Sequence, residues 1–142
     1  MANIVPDSFK TDLLKGTFNF DSSGGSTFYL ALYTSSASFS TATSSYSATN
    51  EVSGTGYVAG GQALTNNGVA ISSNIAYVDF DDETWTSATI TARYGLIYKS
   101  SASNEAVLVL DFGGDKTSTN GDFTVAFPAA SDSAAIIRLG DA

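Results

Sequence analysis

Over most of this chain apolar and polar residues alternate in short runs, and the runs are separated by Gly, Asn and Ser. A period of two puts successive side chains on opposite faces of an extended backbone, so the pattern predicts strands. The first twenty residues depart from it. There Leu13 and Leu14 follow Phe9 by four and five positions, with Pro6 and Asp7 before them and Gly16 after. That spacing places one apolar stripe on a short helix, opened by Pro and closed by Gly as helices prefer. It is expected to be the only helix, and either caps one end of the core or forms an arm that docks on a neighbour. Residues 17–20 read as a short extended piece and 21–26 (DSSGGS) as a loop.

From Thr27 the run TFYLALYT puts Phe28, Leu30 and Leu32 on one face and Tyr29, Ala31 and Tyr33 on the other. Both faces are apolar, which predicts a strand covered on both sides. Residues 35–50 form a Ser/Thr-rich stretch with isolated Phe39 and Tyr46, read as a long surface loop of the kind often lodged in an interface. Further strands are expected at 57–65, 75–80, 88–93, 96–99, 106–112, 123–127 and 135–139. Turns are expected at 66–68, 100–104, 113–115 and 120–122, where Gly and Asn cluster. AVLVLDF (106–112) is the most continuously apolar run and is assigned the central core strand, with YGLIY (94–98) as its antiparallel neighbour. Many short strands split by Gly and Asn turns predict an all-β fold. The expected form is an antiparallel, jelly-roll-like β-sandwich of one domain, residues 21–142, preceded by an N-terminal arm with one short helix, residues 1–20.

Composition then removes whole classes of chemistry. The 142 residues include no His and no Cys, which excludes Ser-His-Asp and Cys-His nucleophiles, thiolate chemistry, and zinc or iron–sulfur sites built on those ligands. No cofactor is expected. Six Lys and Arg against fourteen Asp and Glu give a net charge of −8, and no stretch gathers the cations into a patch. Nucleic-acid binding, which is driven by phosphate neutralisation, is not expected. No apolar run approaches the roughly eighteen residues of a membrane-spanning helix, and MANIVPDSFK lacks the basic and apolar regions of a secretory signal. Synthesis in the cytoplasm with no membrane partner is the expectation.

Among local motifs, Gly54-Thr55-Gly56-Tyr57-Val58-Ala59 matches a bare dinucleotide fingerprint, but no strand precedes it and no helix follows, so it reads as a Gly-rich hairpin or bulge. Asp111-Phe112-Gly113 spells a kinase triplet without the rest of that signature. The acidic run Asp79, Asp81, Asp82 and Glu83, followed by Trp85, is the candidate cation or ligand loop, since clustered carboxylates suit hard cations. The competing reading places Val78 and Phe80 inward and the carboxylates as solvated charges at a strand end. A glycosidase pair completed by Asp111 or Asp122 is the weakest reading. Trp85 and Tyr29, Tyr33, Tyr57, Tyr77, Tyr94 and Tyr98 could form a sugar-stacking platform, although aromatics in strands more often pack the core.

The strings IVPDSFKTDLLKGTFNF, FYLALYTSSASF, NEVSGTGYVAGGQALT, VDFDDETWTSATITARYGLIY and VLDFGGDKTSTNGDFTVAFP cover nearly the whole chain in order. In them the chain resembles a family of small β-rich virion proteins encoded by tailed bacteriophages. The resemblance implies a non-enzymatic structural role in the virion, as a capsid decoration (cement) protein or as a tail-fibre-like piece, with no catalytic residues to carry over. A cement protein clamps neighbouring capsid subunits, so the implied partners are the major capsid protein and further copies of the chain, as a homotrimer or other homo-oligomer. The absence of sequence repeats and of a coiled-coil stalk favours the capsid. Phe9, Leu13, Leu14, Phe18 and Phe20 are then the expected docking residues, and deletion of the first twenty residues is expected to leave a folded domain. The alternative is a tail module that binds host glycans through Trp85, the acidic loop and exposed tyrosines.

Overall fold

A computed structural model describes residues 2–141; Met1 and Ala142, the outer limits of the two expected segments, lie outside the described residues. Helix α1 (Asp7–Leu14) starts after Pro6, whose extended backbone precedes the first turn, and carries Asp7 where the helix dipole favours an acid. Its end is fixed by backbone geometry. Gly16 sits at φ +79°, its N–H donates to Leu13 O at 3.2 Å, and the Thr17 N–H donates to Asp12 O at 3.0 Å. These two bonds are the Schellman pair, which needs a left-handed residue at Gly16.

The strands are β1 (Phe28–Tyr33), β2 (Gln62–Ala63), β3 (Asn66–Ser72), β4 (Ile75–Phe80), β5 (Glu83–Lys99), β6 (Ala106–Val125) and β7 (Ile137–Leu139). They form two antiparallel sheets, one ordered β2-β1-β5-β6 and the other β3-β4-β7. The fold is therefore all-β, antiparallel and sandwich-like, with one short helix. Phe28, Leu30 and Leu32 face the main core, which also takes Val78 and Phe80 from the smaller sheet. Each such side chain, fully buried, contributes about 1.5–3 kcal/mol. On the opposite face of β1, Ala31 and Tyr33 join Leu96, Tyr98 and Val109 in a second cluster, closed by Phe39 and Tyr46 from the 35–50 loop. The two greasy faces of TFYLALYT thus have separate covers.

The expected pairing of YGLIY with AVLVLDF is present, from Tyr94↔Asp111 to Tyr98↔Ala106. Other expectations change. The 106–112 run lies at the edge of its sheet rather than its centre, and Ile4 closes that edge: Ile4 and Val109 exchange two backbone hydrogen bonds of 2.9 Å each. The expected strands 88–93 and 96–99 are one strand, and 106–112 runs on into 123–125, where β6 ends two residues short of the expected 127. The supposed turns at 113–115 and 120–122 are irregularities within β6, because Gly113 (φ +79°) and Asn120 (φ +47°) supply the backbone that bulges share with turns. The expected strand 57–65 shrinks to Gln62–Ala63. At Gly61 (φ +77°) a Cβ would collide with the Leu30 carbonyl oxygen, so the chain turns there against β1. Asn66 opens β3 rather than ending a strand, and β3 reaches β4 through Ser73 (φ +50°) and Asn74 (φ +64°), both left-handed as a tight hairpin turn requires. The strand expected at 135–139 is present over its last three residues.

Candidate docking surface

The first twenty residues are tied into the body. Phe9, Phe18 and Phe20 are buried in the main core, and a file of rings runs from the helix into both sheets. Phe9 lies 5.0 Å from Phe18, Phe20 stacks on Phe28 at 4.6 Å, and Phe28 meets Phe80 at 5.8 Å. Lys99 adds a hydrogen bond of 2.7 Å to Thr17 O. This corrects the docking assignment for three of the five residues, since Phe9, Phe18 and Phe20 face inward and are covered. It also reverses the expected result of deleting residues 1–20, which would strip three rings from the core. Leu13 is half-buried at the core margin. Leu14 alone of the five stands out, 88% exposed.

Leu14 overlooks an open cleft of about 620 Å³. It is lined by β7 with its flanks, by Val107 and Leu108 of β6 beside Val5, and by Phe9, Leu13 and Leu14 of α1, with Leu14 at its lip. A second hollow of about 310 Å³ shares Leu13, Ile137 and Leu139 with it and reaches Val69 on β3. Part of the lining is exposed, Leu139 at 57% and Val5 at 41%, around the buried Phe9, Val107 and Leu108. Exposed apolar side chains gathered at one place, rather than scattered, mark an interaction site on a small protein. Lys10 and Arg138 also line the larger cleft; Lys10 is paired to Asp7 at 2.8 Å, and Arg138 donates to Ser133 O at 2.8 Å.

The acidic loop does not form a site. Asp79 is only 1% exposed; its Oδ1 accepts the Phe80 N–H at 2.9 Å and its Oδ2 has no partner. Burial, with Asp82 nearby, pushes its carboxyl above the usual range. The strand-end reading with solvated charges is therefore corrected at Asp79, because the strand remains covered on both faces up to Phe80. Asp81 and Asp82 occupy the exposed turn into β5, where Asp82 Oδ1 accepts the Phe127 N–H at 2.8 Å. Among the described residues no three acidic side chains converge as a cation site. Trp85 is fully buried, packed beside Tyr57 and Phe123. With the Gln62 amide turned to satisfy both neighbours, its oxygen accepts the Trp85 indole N–H at 3.0 Å and its nitrogen donates to Glu83. Trp85 is thus a core residue and not a ligand contact.

One polar centre escaped the sequence reading. Glu51 accepts hydrogen bonds from Tyr46 Oη (2.7 Å), Tyr57 Oη (2.6 Å) and the Gly60 N–H (2.7 Å). The Tyr57 oxygen also accepts the Leu32 N–H at 2.9 Å, and Tyr98 Oη donates to Gly60 O at 2.7 Å. The group pins the loops before and after Glu51 to β1 and β5. Burial, then the Glu51 carboxylate, raises the Tyr46 and Tyr57 hydroxyls, and burial pushes Tyr98 up to about 12. Such tyrosines hold their protons throughout the neutral range and so keep donating to their acceptors as a structural clasp. A Glu among Ser and Thr carries no pattern, and only the meeting of loops distant in sequence makes it a hub.

No protein family, curated protein or solved structure matches the chain.

Proposed function

We propose that the chain is a non-enzymatic structural protein of a tailed-phage virion, most specifically a capsid decoration protein that clamps neighbouring capsid subunits. The observation that carries this reading is the exposed apolar cleft bounded by α1, β6 and β7, with Leu14 at its lip. A protein that acts by burying surface needs such a patch and needs no reactive groups. The hydrophobic contribution scales with apolar area removed from water, about 25 cal/mol per Å² before the costs of association. The rigid attachment of α1 to the core supports the same reading, because a preordered surface loses little entropy on docking. The major capsid protein is the proposed partner, with further copies of the chain in a trimer or other homo-oligomer, and the virion is the proposed location.

The tail-module alternative relied on Trp85 as its sugar-stacking ring, and the burial of that ring takes away its principal contact. The deciding experiment is quantitative mass spectrometry of purified particles, scaled to the major capsid protein. Hundreds of copies per particle support decoration. A few dozen or fewer move the chain to the tail, and absence from particles overturns the virion reading.

A further inference from the structure

Each edge of a sheet presents unpaired backbone groups to other chains, and proteins blunt their edges by shortness, cover, charge or bulges. Three of the four edges here are blunted in these ways. β2 has two residues and β7 three. β6 is bridged by Ile4 at Val109, and farther along carries Asp115, Lys116 and Asp122 among its irregularities. The fourth edge, β3, is seven residues long, and its own irregularity lies before Val69. Among the described residues it pairs with β4 alone. Residues 69–72 are exposed on both faces, and no residue from Asn66 to Val78 is charged.

The side chains of this edge suit a copy of itself. Opposed residues share a face, so Val69, Val78 and Ile137 form one apolar row and Ile71, Ala76 and Leu139 the next. The second row overhangs the core, with Ile71 75% exposed. A two-fold axis perpendicular to the sheet runs two β3 strands antiparallel and keeps every side chain on its own face. Centred on Ala70, it sets Val69 opposite Ile71 of the second copy and Ile71 opposite its Val69, β-branched pairs that stabilise a sheet. Centring one residue later would set Val69 against Ser73, which has left the strand at φ +50°. Centring one earlier would set Ala70 against Gly68, where Ser22 lies close. Charge selects the same occupant. Two chains of net charge −8 repel wherever acids meet, and the acid that reaches this edge, Asp132, is held by the Ser73 and Ser72 hydroxyls with Arg138 nearby.

We propose that β3 pairs antiparallel with β3 of a second copy about a two-fold axis at Ala70, joining the two small sheets into one. The contact consumes both open edges, so it closes as a dimer. It goes beyond the docking role proposed above by naming how copies of the chain meet, and stands apart from that role.

The chain has no Cys, so Ala70→Cys places a single thiol at the axis. Opposed Cα atoms of paired strands lie about 4.5–5.5 Å apart, within disulfide reach. Under mild oxidation this variant should form a disulfide-linked dimer on the order of tenfold faster than Thr119→Cys, a control at another exposed strand position. Adding Ile71→Lys should slow it to the control rate without changing the melting temperature. Adding Leu139→Lys, on the same face but away from the edge, should not slow it. Pairing this short buries less than a standard interface, so the parent chain at about 1 mM should sediment as monomer and dimer in exchange. Equal rates for the two thiols, monomer alone, or a trimer would overturn the proposal. Slowing by Leu139→Lys as great as by Ile71→Lys would place the contact on the sheet face and overturn the edge pairing. Absence of the protein from virions would overturn the virion reading and leave the disulfide result intact.

Discussion

Tyr57 and Glu51 are six residues apart and joined by a 2.6 Å hydrogen bond, while the same Tyr57 oxygen accepts the Leu32 N–H of β1. One phenol thus links a surface loop to the sandwich. Glu51→Ala would leave the Tyr46 and Tyr57 hydroxyls and the Gly60 N–H without their acceptor. The expected loss of stability is about 2–3 kcal/mol, read by urea denaturation. Glu51→Gln should lose less, because one amide oxygen remains to accept.

Trp85 is the single tryptophan of the chain, so its fluorescence reports one site. A fully buried indole should emit to the blue and resist acrylamide quenching, and added glycans should leave both properties unchanged. Trp85→Ala is expected to cost about 3–5 kcal/mol through the cavity it leaves. Red-shifted, readily quenched emission would return Trp85 to the surface and revive the sugar-binding alternative.

Asp79 makes stability depend on pH in an unusual direction. Its folded carboxyl titrates above the ordinary 3.8 because of burial. Below that ordinary value both folded and unfolded chains hold the proton, and the stability is complete. As pH rises through the raised folded value, the folded chain must ionise in a dry site and stability falls. Asp79→Asn keeps an acceptor for the Phe80 N–H and removes the titration. The variant should match the parent near pH 3 and exceed it near neutrality in thermal melts, once other acids are accounted for by difference.

Asp111 acts with the opposite sign. Its side chain takes the Arg93 guanidinium at 2.9 and 3.3 Å and accepts the Gly113 N–H at 2.9 Å. The Arg93 contact, then the Gly113 bond, holds its carboxyl well below the usual range. The stability it contributes is present above 3.8 and is lost as pH falls toward the depressed folded value. Asp111→Asn should therefore melt earlier than the parent at neutral pH, and the gap should close in acid.

Leu14→Gln tests the docking surface without disturbing the core. At 88% exposure, with a good helix former as replacement, stability should change by no more than about 0.5 kcal/mol. Incorporation into particles should fall by on the order of tenfold if Leu14 anchors the contact. Unchanged incorporation would move the contact elsewhere.

What could be read from the chain alone divides along physical lines. The α1 boundaries follow from Pro6 and Gly16, and the double-faced burial of β1 follows from its own six residues, because these are local matters. The continuity of β5 and β6 was hidden, since Gly113 and Asn120 serve a bulge as readily as a turn. Asn66 to Gly68 misled in the reverse sense, announcing a turn at the irregular start of β3. For the candidate site, Leu13 and Leu14 were legible as an apolar stripe. Which of the five apolar residues faced outward depended on Phe28 and Phe80 waiting for Phe18 and Phe20, a meeting that no local spacing encodes. The β3 edge was invisible for the same reason, because an edge is a property of strand order.

The bridge between Ile4 and Val109 sets an order of events during synthesis. The amino end leaves the ribosome first, yet its pairing partner is made about a hundred residues later. At roughly 5–20 residues per second, that is a wait of about 5–20 s. Throughout it Ile4 remains without the strand it pairs with, and the β6 edge cannot be closed until that strand has emerged. Contacts of such long sequence separation slow the final step of folding. The amino end is therefore fixed to its sheet only late in synthesis.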